Sequence, residues 1–353
     1  MRILQLITLS ELGGAQSAVI NLANNLCRQH EVIVAAGEGD GKMWDLLDAS
    51  IQKECIPSLR RALSPLHELK AIGEMHRLYK KYKPDIVHLH SSKAGILGRV
   101  AFPKSRVVYT VHGFDSIRIA YRKYLPLEKA LQGRCQAIIG VSQYDERNLK
   151  NEGIVKNVGM VYNGIYPPVR LAHDPFKDII QGYERKVLCI ARLSPQKKLD
   201  LFLEVAALLP NYAFIWVGNQ HPVETEHPAN VFFMGNVPNA GAYNEFADLF
   251  LLPSNYEGLP IVIIEALSCG KPVVASAVGG ISELLDGTNG FAVKNNAKEM
   301  AERIKDILSD ADLYGKMCQA AMETYLRSFT VDKMVNGYLE IYSRIFRQNN
   351  PKR

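Results

Sequence analysis

Cysteine is scarce and scattered: six residues, at 27, 55, 135, 189, 269 and 318, with no Cys-x-x-Cys pair. That pattern excludes a disulfide scaffold or a zinc ribbon and fits a reducing cytosol. No apolar run reaches the roughly 18 residues of a transmembrane helix, so none is expected. The start, MRILQLITLSELGG, lacks the long apolar core of a signal peptide. Neither a repeat nor a low-complexity segment is visible. No Gly-x-Gly-x-x-Gly fingerprint appears, which removes the main support for dinucleotide hydride chemistry. What remains is ordinary for a folded soluble protein: 47% hydrophobic and 22% charged residues in 353. Disorder, collagen and coiled coil are excluded as global descriptions. The length suggests about two domains.

The charge is uneven. Residues 1–168 hold 23 Lys/Arg against 15 Asp/Glu, whereas 169–353 hold 19 against 21. A basic half suggests an anionic partner, although a merely solvated surface has the same signature. Short apolar runs at 2–7, 30–36, 85–90, 106–112, 137–142 and 158–163 read as strands. Amphipathic stretches at 15–29 and 65–82 read as helices between them. The rhythm lapses near 164–186, around Pro167 and Pro168, and then restarts. Strands are expected at 186–193, 213–218, 231–235, 248–254 and 272–277, and helices at 200–210, 261–270, 297–310 and 330–348. Alternation of this kind implies parallel sheets covered on both faces. The expected fold class is therefore α/β, with two doubly wound Rossmann-like domains facing a cleft. Their bounds are 1–168 and 169–330, and a terminal helix in 331–353 is expected to pack back toward the first domain. Ligands of such sheets sit beyond the carboxyl ends of the strands.

The candidate residues fall at those ends. Gly13 and Gly14 follow the first strand, where glycine conformations and a helix N-terminus suit an anion. His88 and His90 share one strand face and read as structural in preference to metal-binding. Lys93 and Arg99 lie among small residues after that strand and suit an anion. His112 precedes Gly113 at a strand end, a place for a general base or hydrogen-bond donor. Arg192 and Lys197 bracket a strand-to-helix turn and suit a diphosphate; Lys198 reads as the more exposed neighbour. Glu257 stands in a loop before Gly258 and Leu259, whose amides and the following helix N-terminus form another anion site. Glu265 lies on that helix, which Pro260 suits as a first-turn residue.

The stretch PSNYEGLPIVIIEALSCGKPVVAS (253–276) carries two glutamates in a Glu-x7-Glu spacing, Glu257 and Glu265. With Arg192…Lys197, VGGISELLDGTNGF (278–291), GGAQ, SSKAGILGR and TVHGF, it resembles the retaining glycosyltransferases of family 4, which have the GT-B fold. The first-half motifs look like the branch that assembles bacterial surface polysaccharides, and the resemblance spans about residues 1–345. It implies that Arg192 and Lys197 stabilise the diphosphate of a nucleotide-sugar donor, and that Glu265 holds the ribose. Glu257 would contact the donor sugar near its reacting face, beside Gly258 and Leu259. His112 would hydrogen-bond the sugar, and Asn236 and Val237 would border the base. Gly13 and Gly14 would lie under the donor or acceptor phosphates, with Lys93 on the acceptor side.

The implied reaction transfers a hexose or N-acetylhexosamine, from UDP by branch resemblance with GDP left open, to a glycan acceptor linked to a polyprenyl diphosphate. No cofactor and no metal are expected. Fixed cations take the metal's role, and no Asp-x-Asp pair of the kind used by metal-dependent transferases is found. Nucleic acid is not an expected partner. A nucleotide-sugar epimerase of the same architecture and a non-catalytic nucleotide-binding module are the alternatives. Seven basic residues between Arg60 and Lys83, interleaved with Leu63, Leu66 and Leu69, and a second cluster at 116–126, suit an anionic membrane surface. The expected place is cytoplasmic, peripheral on the inner face of the cell membrane.

Overall fold

The computed structural model describes residues 1–177 and 180–351. They form two units: Met1–Gly164 with the segment from Val331 onward, and Ile165–Thr330. The division thus falls at 164/165, where 168/169 was expected. Lys352 and Arg353, the end of the expected terminal segment, lie outside the described residues.

The first unit contains strands β1 (Arg2–Ile7), β2 (Glu31–Ala36), β3 (Gln52–Cys55), β4 (Ile86–His90), β5 (Val107–Val111), β6 (Ala137–Gly140) and β7 (Val158–Met160). Helices α1 (Gly14–Leu26), α2 (Lys42–Asp45), α3 (Pro65–Tyr82), α4 (Ser92–Ala101), α5 (Leu125–Leu131) and α6 (Gln143–Asn151) connect them. The second unit holds β8 (Arg185–Ile190), β9 (Tyr212–Val217), β10 (Val231–Phe233), β11 (Leu249–Leu252), β12 (Val273–Ser276) and β13 (Gly290–Val293). Its helices are α7 (Leu199–Leu208), α8 (Ile261–Ser268), α9 (Ile281–Leu284), α10 (Ala297–Ser309) and α11 (Ala311–Ser328). The last helix, α12 (Val331–Asn349), returns to the first unit.

Both sheets are parallel throughout, ordered β3-β2-β1-β4-β5-β6-β7 and β10-β9-β8-β11-β12-β13. Strand order reverses between β1 and β4 in one and between β8 and β11 in the other. Those are the topological switch points, where crossovers diverge to opposite faces and leave a crevice at the carboxyl ends. The central strands are apolar along their length because both faces are covered. On one face of the first sheet, Ala71, Met75 and Leu78 of α3 pack with Leu4, Val87 and Tyr109. On the other, Val19, Leu22 and Leu26 of α1 join Met334, Tyr338, Tyr342 and Ile345 of α12. Polar caps set several helix starts: the Ser142 hydroxyl accepts from the Asp145 amide at 3.0 Å, and the Asn296 side-chain Oδ1 accepts from the Glu299 amide at 3.0 Å. Among the described residues, no helix is long and apolar enough to cross a membrane.

Candidate functional site

In the second unit, two loops meet at the switch point. One is the β8–α7 turn, carrying Arg192 and Lys197; the other is the β11–α8 loop, carrying Glu257. They are stitched by main-chain and amide contacts. The Asn255 amide donates to the Gln196 carbonyl at 2.8 Å, Gln196 Nε2 to the Tyr256 carbonyl at 2.8 Å, and Asn255 Nδ2 to the Pro195 carbonyl at 2.8 Å. Glu257 is only 7% exposed. Its Oε1 accepts from the Ser254 hydroxyl at 2.6 Å and forms an ion pair with Lys197 Nζ. Ser254 is itself held by Ser276 Oγ at its amide, 2.8 Å, and by Asn295 Nδ2 at its carbonyl, 3.0 Å. Gly279 (φ +60°) lies so close to the Glu257 carbonyl that a Cβ there would approach its oxygen to 1.9 Å. The Gly280 amide then donates to the Gly258 carbonyl at 2.8 Å. The 277–280 segment is thus the floor on which the glutamate loop rests.

Lys197 is therefore already neutralised by Glu257. Arg192 is exposed and, among the described residues, has no ion-pair partner. Lys198 is the more exposed neighbour by a small margin, its side chain 21% exposed against 17% for Lys197, but it is not free: it is in a left-handed conformation (φ 40°) and paired with Asp200 at 2.9 Å. Gly258 and Leu259 offer amides that no described carbonyl accepts, just ahead of α8. Pro260 is the N-cap of α8, one position before the first-turn place expected. Glu265, on α8, is half-buried with no described hydrogen-bond or ion-pair partner, and burial pushes its carboxyl up to about 7. Its carboxyl lies against Gly241, where a Cβ would come within 2.9 Å of it. Asn236 is exposed and Val237 half-buried after β10, close to the Gly235 amide that Asn219 Oδ1 caps at 2.8 Å.

The first unit presents its own strand ends. Gly13 is the N-cap of α1 in an extended conformation (φ −178°), and Gly14 is the first helical residue. Neither adopts a positive φ, so the expected need for glycine backbone freedom is not met there. What the pair supplies is a helix start without side chains over its free amides. Ser91, by contrast, holds φ 70° beside it; its hydroxyl bonds Thr8 Oγ1 at 2.6 Å and ties the β1 and β4 ends together. Lys93 is not a free cation. It donates to the Ala62 carbonyl, pairs with Glu68 at 3.2 Å and is 15% exposed. Arg99 is fully buried, paired with Glu128 and stacked on Tyr109, so its anion-binding expectation fails. His112 follows β5. Its Nε2 is 3.0 Å from His90 Nδ1, its Nδ1 is buried without a partner, and burial pulls its pKa down to about 4. His88 and His90 are buried and hydrogen-bonded, and burial holds both far below the usual histidine range.

The described residues contain no group of three or more potential metal ligands. The triplet Asp310-Ala311-Asp312 is a helix cap: Asp310 Oδ1 accepts from the Asp312 and Leu313 amides, both at 3.0 Å. On the surface of the first unit, Leu63, Leu66 and Leu69 are exposed at 62–72% beside exposed Arg60, Arg61 and Lys70. The second basic cluster is largely compensated. Arg118 is bound to Asp115 and Tyr144, and Arg122 to Glu152 at 2.8 Å. Sequence reading missed the supports of the site: Ser254, Ser276 and Asn295 under Glu257, Gly241 beside Glu265, and Ser91 at the first switch point. The serines and asparagine had no signal beyond lying in strand-end segments.

The profile of glycosyltransferase family 4 matches residues 12–167, and that of the group 1 glycosyl transferases matches 184–310. An Escherichia coli protein, UDP-Gal:alpha-D-GlcNAc-diphosphoundecaprenol alpha-1,3-galactosyltransferase, is 29% identical over 84% of this chain and 83% of its own. The N,N'-diacetylbacillosaminyl-diphospho-undecaprenol alpha-1,3-N-acetylgalactosaminyltransferase of Campylobacter jejuni is 25% identical, covering 91% and 93%. Among solved structures, HepE of Anabaena in complex with UDP superposes with a TM-score of 0.80 at 23% identity, over 98% of this chain and all of that one. Sucrose-phosphate synthase of Thermosynechococcus elongatus gives 0.83 at 20%, over 99% of this chain and all of that one. Likeness at those identities carries the fold alone: two Rossmann-like domains of GT-B type.

Proposed function

The chain belongs to the family 4 and group 1 glycosyltransferases, and from that premise we propose that it moves a hexose or N-acetylhexosamine, with retention, from a UDP-sugar to a glycan carried on a polyprenyl diphosphate. One observation carries the reading: at the second switch point a free Arg192, a Lys197–Glu257 pair, open amides at Gly258 and Leu259, and an unpartnered Glu265 lie along two adjoining loops and one helix. That is the chemistry of a nucleoside diphosphate. Glu265 takes the ribose hydroxyls, and Arg192 and the α8 end take the diphosphate. Glu257, fixed by Ser254, contacts the donor sugar, and Asn236 and Val237 border the base; in the first unit, His112 is a hydrogen-bonding group for a substrate sugar. The acceptor belongs to the first unit, at Gly13 and Gly14; Lys93 shapes that side through Ala62 and Glu68. The names of the two bacterial relatives, both acting on diphosphoundecaprenol-linked sugars, support the acceptor class. The UDP-galactose in the first supports the donor.

In the transfer, the acceptor hydroxyl oxygen bonds the anomeric carbon as the bond from that carbon to the diphosphate breaks. The hydroxyl proton passes to the departing phosphate oxygen. Negative charge grows on the leaving group, and fixed cations and helix-end amides stabilise it more as it grows. No metal is needed for that role. The exposed Leu63, Leu66 and Leu69 beside Arg60, Arg61 and Lys70 support docking on the anionic inner face of the membrane, where such an acceptor resides.

The test is a mass-spectrometric screen of UDP- and GDP-sugars against polyprenyl-diphosphate-linked acceptors, run with and without excess chelator. A glycosylated acceptor with an α-anomeric product, formed equally in chelator, is expected. A sugar nucleotide turned over with no acceptor would point to an epimerase. Activity restored only by magnesium or manganese would remove the metal-free mechanism.

A further inference from the structure

Behind His112 lies a chain of hydrogen-bonding side chains that the reaction above does not use. Thr110 and His112 flank the end of β5, His88 and His90 alternate on β4, Gln5 sits on β1, and Tyr338 and Tyr342 come from α12. All project to the face of the first sheet that α12 covers. Tyr338 Oη is 2.9 Å from Thr110 Oγ1, and Thr110 Oγ1 is 2.7 Å from His88 Nε2. His88 Nδ1 is 2.6 Å from Tyr342 Oη, while the Gln5 amide nitrogen is buried without a hydrogen-bond partner. Gln5 Oε1 is 2.7 Å from His90 Nε2, and His90 Nδ1 is 3.0 Å from His112 Nε2.

The protons in such a chain are not independent. A carbonyl oxygen only accepts, so facing Gln5 Oε1 obliges His90 to carry its proton on Nε2. His90 Nδ1 is then a lone pair, and the neighbouring His112 Nε2 must donate to it. That leaves His112 Nδ1 as a lone pair too. A turned amide would reverse every bond and make His112 Nδ1 a donor. His112 Nδ1 is buried and has no partner, an arrangement that costs free energy unless something arrives to satisfy it. Burial keeps all three rings neutral.

We propose that Gln5, acting through His90, holds His112 in the tautomer that offers Nδ1 to substrate as a hydrogen-bond acceptor. The partner is a hydroxyl of the transferred sugar or of the acceptor. Gln5 and His90 are positioning residues in this scheme, and the substrate-facing part rests on the function proposed above.

The wiring can be measured without substrate. Nitrogen-15 spectra of histidine-labelled, ligand-free protein at neutral pH, with His112→Asn assigning the signals, should show His112 protonated at Nε2 and bare at Nδ1. A wild-type His112 protonated at Nδ1 would overturn the proposal, whatever the enzyme's activity. Gln5→Met keeps the side-chain length and removes the amide; it should give a mixture of His112 tautomers and lower kcat/KM about tenfold, the worth of one neutral hydrogen bond. UDP binding by the second unit should not change. Mixed tautomers with unchanged kcat/KM would sever the link to substrate, and reduced kcat/KM with an unchanged tautomer would reduce Gln5 to a packing residue. Failure to detect transfer by the wild-type chain would remove the substrate-facing part, while its spectrum still decides the wiring.

Discussion

Replacing Glu265 by glutamine isolates a carboxyl that burial has raised from its ordinary 4.5 to about 7. In the unfolded chain this group ionises at its ordinary value. The folded form holds its proton longer, so protonated Glu265 stabilises the fold below pH 4.5, and that stabilisation is lost as pH rises to 7. The full displacement corresponds to about 3 kcal/mol; the partial exposure of the residue screens it to about 1–2 kcal/mol. Glutamine fills the same space beside Gly241 without a charge. Glu265→Gln should therefore raise the melting temperature of the ligand-free protein at pH 8, by about 2–4 °C per kcal/mol for a unit of this size. The difference should shrink as pH falls and vanish well below pH 4.5. Donor binding should move oppositely. Ribose hydroxyls donate to the ionised form, so the affinity of the wild-type chain for UDP-glucose should fall about tenfold between pH 8 and pH 6, as a single group of pKa near 7 requires. The variant should bind more weakly with no such slope. Differential scanning fluorimetry and titration calorimetry across that range are the assays. Equal melting temperatures at pH 8, or the same pH slope in the variant, would refute the description of Glu265 as a desolvated carboxyl awaiting a diol.

Arg192→Ala should leave thermal stability unchanged, because the side chain is exposed and unpaired, yet slow turnover by about 3 kcal/mol of transition-state stabilisation. A raised KM with unaltered kcat would contradict that. Lys197→Ala should lower both stability and kcat, since it strands Glu257 in a mostly buried position; a stable, slow variant would show that the ion pair is not structural. Vesicle co-sedimentation should need anionic lipid, weaken with salt and drop when Arg60, Arg61 and Lys70 become serine. Arg118 is unsuitable for that test because it holds Asp115 and Tyr144. Equal recovery on neutral vesicles would remove the electrostatic contribution.

Most of the architecture was legible because central parallel strands are continuous apolar runs and the helices between them are amphipathic. β3 was not: its residues Gln52–Cys55 are polar and mostly exposed, as an edge strand allows. Helix α4, of which only small residues suiting an anion after β4 were singled out, packs closely because Gly95 and Gly98 let its backbone approach Tyr109 and Leu89. Glu257 and Glu265 were readable because their spacing and loop chemistry are local. Lys93 and Arg99 misled because their partners, Glu68 and Glu128, arrive on other helices. The Lys197–Glu257 pair joins residues 60 positions apart, and the Gln5–His90–His112 chain joins residues 85 and then 22 positions apart; spacing along a strand carries no trace of them.

The return of α12 has a consequence for synthesis. Met334, Tyr338, Tyr342 and Ile345 complete the core face that Val19 and Leu22 begin, so the first unit is not a contiguous stretch of chain. A ribosome adding about 5–20 residues per second needs on the order of 10–40 s to pass from Gly164 to the end of α12. Throughout that interval the α1 side of the nascent sheet stands uncovered, while the whole second unit emerges and is free to fold. The portion made first is thus the portion finished last, and the time for which its apolar face needs shielding is set by the length of the unit inserted between its two parts.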